Sequence, residues 1–140
     1  MTVLIDTNVA LDALLNNVGF ADKSKELFEL AYKKRFTGYI SASAVTDIFY
    51  IAAKKLGKKG AKEAIKYLLH IYYPATVTDE DIYKALDLTW DDFEDSVQFT
   101  VGEGLSADYI VTRDAQGFSS SHIPAVTPEQ FMRIIADSEQ

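Results

Sequence analysis

No cysteine occurs among the 140 residues, which excludes disulfide staples, thiolate metal ligands and thiol nucleophiles. Histidine is nearly as scarce: His70 and His122 stand alone in the sequence and read as surface or packing residues, so a zinc site has no ligands to draw on. Only three prolines are present, at 74, 124 and 128, and no Pro- or Ser-rich linker interrupts the chain. No apolar run approaches the ~20 residues that a membrane-spanning helix needs. The segment Met1-Thr2-Val3-Leu4-Ile5-Asp6 lacks the basic and apolar regions of a signal peptide, so a cytoplasmic location is expected. Basic residues are outnumbered 14 to 21, giving a net charge of −7. That balance weakens the case for a passive nucleic-acid binder. It leaves a nuclease open, because carboxylates hold divalent cations and the bound cation reverses the local sign. Walker, dinucleotide-binding and nucleophile-elbow motifs are all missing.

What is present is ordinary globular composition, 48% hydrophobic and 25% charged, and residues 1–140 fit a single domain. Thr2 to Ile5 reads as a buried strand, and Asn8 to Leu15 as a short helix broken by Asn16-Asn17-Val18-Gly19. A helix is expected from Ala21 to Arg35, a strand at Tyr39-Ile40-Ser41, and a helix capped by Ser41 or Ser43 that stops near Leu56 at Gly57. Lys59 to Tyr72 continues as a helix up to Pro74. Ala75 to Thr78 follows as a short strand, and Thr78 or Asp79 caps a helix to Leu88. Asp91 or Asp92 opens a further helix reaching Gly102. Ala107 to Thr112 is the clearest strand; Val126 ends a weak fifth, after which Thr127 caps a last helix with Pro128 in its first turn. Alternating strands and helices call for a three-layer α/β fold around a mainly parallel sheet, with function at the carboxyl ends of its strands.

Four acids stand where that rule looks. Asp6 directly follows Val3-Leu4-Ile5, and Asp114 comes two residues after Tyr109-Ile110-Val111-Thr112. Either one alone is explained as well by capping the next turn; the pair is harder to dismiss. Asp47 is the only charged residue between Ser41 and Ala53, and none of its helical neighbours is basic, so no intrahelical ion pair accounts for it. Asp91, Asp92, Glu94 and Asp95 cluster at a helix start, where the macrodipole favours acids. Asp95 lies beside the apolar face of Val97, Phe99 and Val101, and ranks only slightly above Asp92. Four oxygen donors suit a hard cation such as Mg²⁺ or Mn²⁺. Lys54, Lys55, Lys58, Lys59, Lys62 and Lys66 crowd around Gly57; they read first as a solvated helical face, with phosphate contact the alternative.

The segments Leu-Ile-Asp-Thr-Asn-Val (4–9), Ser-Ala-Ser-Ala-Val-Thr-Asp-Ile (41–48), Asp-Phe-Glu-Asp-Ser-Val-Gln (92–98) and Ala-Asp-Tyr-Ile-Val-Thr-Arg-Asp (107–114) resemble, in order, the four signature segments of PIN domains. The resemblance is greatest to the small bacterial PIN proteins grouped with VapC-type toxins. It implies a five-stranded sheet ordered 3-2-1-4-5 flanked by helices, which sets Asp6 beside Asp114, and it selects Asp95 within the third segment. It further implies hydrolysis of RNA phosphodiester bonds by one or two Mg²⁺ or Mn²⁺ ions. Asp6 and Asp95 would be the main ligands, Asp114 would act directly or through water, and Asp47 would complete a second position or orient the attacking water. Asn8 and Thr112 would hydrogen-bond a ligand carboxylate, or serve only turns and caps; Arg113 would contact phosphate, or form a surface ion pair. One residue departs from the pattern: Asp47 stands where the family usually has the longer Glu. A cognate antitoxin and a homodimer are implied as partners. The alternative is a weak or inactive PIN fold that only binds RNA or protein. A dehalogenase-type hydrolase would want Asp at Asn8, and a receiver domain would want Lys after the last strand.

Overall fold

In the computed structural model, which describes residues 1–139, the alternation of the first strand sets the architecture. Strand β1 (Thr2–Ile5) buries side chains on both faces, as a central strand of a parallel sheet must. Val3 and Ile5 enter one core with the helices α1 (Thr7–Leu14), α2 (Ala21–Tyr32), α3 (Ala42–Ile71) and α6 (Pro128–Ser138). Leu4 points the other way, into a second core with α4 (Asp79–Asp87) and α5 (Phe93–Gly104). Helices therefore cover both faces, in three layers.

Strands β2 (Thr37–Ser41), β3 (Tyr73–Ala75), β4 (Tyr109–Val111) and β5 (Ala125–Val126) complete a sheet of order β3-β2-β1-β4-β5, and all its pairings are parallel. This is the order that the resemblance implies. Leu4 pairs with Tyr39 on one side and Ile110 on the other. The chain leaves β1 toward β2 and β3, then crosses to β4, so a crevice opens at the carboxyl ends of β1 and β4.

Several boundaries differ from expectation. The third strand is Tyr73–Ala75 and not Ala75 to Thr78: Tyr73, Pro74 and Ala75 pair with Tyr39, Ile40 and Ser41. Pro74 is tolerated there because β3 is an edge strand and the missing N–H faces outward. The second helix stops at Tyr32, followed by Lys34 at φ 59°. The clearest strand shortens to Tyr109–Val111. The expected stop at Gly57 is a sharp break inside α3, with φ 77° and ψ 168°. Among the described residues, no helix is long and apolar enough to cross a membrane.

Candidate metal centre

Asp6 ends β1 and caps α1, so its carboxylate is fixed by the start of the helix itself. One oxygen accepts the N–H of Thr7 at 2.8 Å, and the other accepts the hydroxyl of Thr112 at 2.8 Å. That same Thr112 oxygen accepts the backbone N–H of Asp114 at 3.1 Å. One hydroxyl thus orients the first acid and holds the turn that carries the fourth. Burial raises the Asp6 pKa, opposed by the hydrogen bonds from Thr112 and Thr7.

Asp95 sits in the first turn of α5, its N–H capped by Asp92 at 3.1 Å. Its pKa is pushed up to about 7, first by partial burial and then by the negative charges of Asp92, Asp6, Glu94 and Asp114. A 3-10 turn, Ala115–Phe118, closes over this acid. A Cβ placed on Gly117 would lie 2.7 Å from Asp95 Oδ2 and 3.5 Å from Asp114 Oδ2. The carboxylates of Asp95 and Asp114 therefore both face the bare backbone of Gly117, and a Cβ there would make the Asp95 carboxylate shift.

Asp47 occupies an adjoining part of the crevice. It is exposed on the first half of α3, where it lines a depression of about 370 Å³ with Thr7, Asn8, Tyr50, Ile51 and Glu94. Thr7 links the two parts: its N–H bonds Asp6, and its hydroxyl donates to Glu94 Oε1 at 3.3 Å. Burial raises the Glu94 pKa, and the charges of Asp6 and Asp47 raise it further. Asn8 lines the depression but makes none of the described hydrogen bonds to a carboxylate. Arg113 is engaged elsewhere. Its Nε lies 3.0 Å from Asp12 Oδ2, and its guanidinium covers the Phe20 ring at 4.2 Å. Asp12 is only 1% exposed and accepts a second bond from Asn17 Nδ2 at 2.9 Å.

Three participants carry little signal in the sequence. Glu94 is hidden in a run of acids that helix capping explains. Gly117 belongs to no motif. Gln98 closes the third signature segment, but beyond that it is marked only as one of the polar residues in the buried run from Ser96 to Gly102. Its Nε2 lies 3.5 Å from both Asp6 Oδ1 and Thr7 Oγ1, and its buried Oε1 has no partner.

The donor set is all oxygen, which fits a hard divalent cation. Burial is the largest cause of the raised pKa of Asp95, Glu94 and Asp6, and neighbouring carboxylates add to it; a bound cation would offset both. Among the described residues, however, no three acids form a ready-made cage. The acids are neighbours that a cation would have to draw together.

A family model described as a PIN domain matches residues 2–116. Solved structures share the fold at low identity. A VapBC2 complex of Rickettsia felis, bound to a DNA fragment from its promoter, aligns with TM-score 0.69 and 16% identity, covering 90% of this chain and 97% of that one. VapC20 of Mycobacterium tuberculosis, a sarcin–ricin-loop-cleaving toxin, aligns with TM-score 0.67 and 14% identity over 84% and 94% of the two chains. A toxin–antitoxin complex from Klebsiella pneumoniae gives TM-score 0.67 and 18% identity over 90% and 97%. No curated protein matches the chain in sequence.

Proposed function

The chain belongs to the PIN-domain family, and from that premise we propose that it is a metal-dependent endoribonuclease acting as the toxin of a toxin–antitoxin pair. The observation that carries this reading is the gathering of acids at the β1–β4 crevice, with the Asp95 pKa pushed up to about 7 by burial first and by the neighbouring acids next. Asp6, Asp95 and Asp114 would hold one Mg²⁺ or Mn²⁺, and Asp47 a second position or the attacking water. When bound, such an ion polarises a phosphate oxygen and lowers the pKa of water. The chain's own residues do the rest. Thr112 aims Asp6 and fixes the Asp114 turn. Asp95 gives up its proton before it can act as a ligand. Glu94, held by the Thr7 hydroxyl and with a raised pKa, is placed to take a proton at Oε1 as water attacks phosphorus.

The test is cleavage of an unstructured RNA with Mn²⁺. Asp95→Asn keeps the shape but removes a ligand charge, so cleavage should fall by roughly a hundredfold or more, the scale of losing a transition-state contact worth about 3 kcal/mol. A parent-like rate in Asp95→Asn would sink the reading. A second reading, a PIN fold that binds RNA or protein without hydrolysis, is favoured by the missing three-acid cage and by Asp47 in place of the longer Glu. An antitoxin partner, a homodimer and a cytoplasmic setting belong to the same proposal. Light scattering at micromolar concentration checks the dimer.

A further inference from the structure

We infer that the exposed stripe of α3 running from Asp47 through Tyr50 and Ile51 to Lys54 is the track along which single-stranded RNA leaves the metal centre. This rests on the ribonuclease reading and names the path of its substrate. Residues 47, 50, 51 and 54 share one helix face at spacings of three, four and seven. The stripe starts inside the site, because Asp47, Tyr50 and Ile51 line the same depression as Glu94 and Asn8. Tyr50 is 68% exposed and Ile51 43% exposed, so two large side chains stand open to solvent beside a cluster of carboxylates. Phe49 braces the Tyr50 ring edge to face at 5.7 Å, so the ring is steadied while still open to solvent.

Charge gives the track its direction. Six of the 14 basic residues fall between positions 54 and 66, in a chain of net charge −7. Lys55 is engaged by the Leu15 carbonyl at 2.8 Å, and Lys66 by Glu63 at 3.5 Å. Among the described residues, Lys54, Lys58, Lys59 and Lys62 make no ion pair within the chain. On the other face of the sheet, α4 opens with Asp79, Glu80 and Asp81, and α5 follows Asp91 and Asp92, so a polyanion is repelled there. An aromatic platform followed on the same face by the Lys54 ammonium, with three more unpaired lysines beyond the break at Gly57, matches an unpaired base and the phosphates beyond it. A duplex has no free base face to offer Tyr50.

The experiment measures binding and cleavage separately on the full chain. A fluorescently labelled, unstructured RNA oligonucleotide of about twelve nucleotides is titrated with the parent, Tyr50→Ala, Lys54→Glu and Lys84→Glu. Cleavage of the same oligonucleotide with Mn²⁺ gives KM and kcat. Tyr50→Ala should raise Kd and KM roughly five- to a hundredfold, the scale of one lost base stack. Lys54→Glu should weaken binding and flatten its salt dependence, while kcat stays within about twofold for both. Lys84→Glu, the same charge reversal on α4, should leave Kd unchanged. If the parent cleaves but Tyr50→Ala and Lys54→Glu keep its Kd and KM, the track is wrong and the ribonuclease reading stands. If the parent binds through Tyr50 and Lys54 yet never cleaves, the track stands and the hydrolytic reading falls. A parent that does not bind the oligonucleotide overturns the track outright.

Discussion

A carboxyl group with a pKa of about 7 is half-protonated at neutral pH, so on the metal-binding reading proposed above Asp95 would couple the stability of the chain to its hold on a cation. Its folded pKa lies above the unfolded value of 3.8, so its stabilising contribution is complete below about 3.8 and disappears as pH rises toward 7. Asp6 and Glu94 are raised too and add the same sign. The metal-free protein should therefore lose melting temperature between pH 4 and pH 7, and Asp95→Asn should flatten that slope; thermal scans across the range check both. Added Mn²⁺ should restore stability increasingly over the same window, by about 2.7 kcal/mol at a hundredfold excess over its dissociation constant. A second prediction concerns the Asp12–Arg113 pair, whose members are unequally buried. Arg113→Met leaves the Asp12 carboxylate sealed with only Asn17, at a cost of about 3 kcal/mol. Asp12→Asn frees an arginine that already reaches solvent, and should cost clearly less by urea titration. Equal losses would mean that the pair is not what holds this corner. At this scale the sequence exposed positions better than partners. Asp6 and Asp114 stand out at strand ends, and Asp47 by the absence of charge around it. Asp95 ranks only slightly above Asp92 on the residues alone, because both lie in a helix-start cluster; the resemblance, not the local pattern, selects Asp95.

The long helix α3 turns at Gly57, whose φ of 77° with ψ of 168° is open almost only to glycine. Nothing lies within 4 Å of a Cβ built there, so Gly57→Ala measures backbone strain alone. It should destabilise by roughly 1–3 kcal/mol in chemical denaturation. A loss near zero would mean that the break relaxes into a continuous helix. Gly38 in β2 is a different case: a Cβ there would come within 2.4 Å of the Tyr72 ring, so the strand needs glycine for close approach. Helix starts were legible because their caps are local, as in Thr78 with Asp81 and Thr127 with Gln130. The third strand was misplaced because proline argues against a strand in general, whereas pairing along one free edge permits it. That distinction depends on sheet order, which no local window contains.

Across the whole molecule, the segment beyond the matched residues is not an appendage. Phe131 of α6 is fully buried and packs edge-on against Phe36 at 5.0 Å and Tyr109 at 5.8 Å. Phe131→Ala should cost about 3–5 kcal/mol in calorimetry or denaturant titration. If stability is unchanged, α6 is dispensable to the core. The central position of β1 has a consequence in time. Asp6 lies at the beginning of the chain, but the hydroxyl that aims it belongs to Thr112, 106 residues later. A ribosome making this protein releases the first acid 106 residues before the hydroxyl that aims it. Until β4 docks beside β1 the crevice has one wall, and the acids have nothing to converge upon. On the ribonuclease reading proposed above, the messenger and the machine that translate this chain meet no assembled site until β4 has emerged.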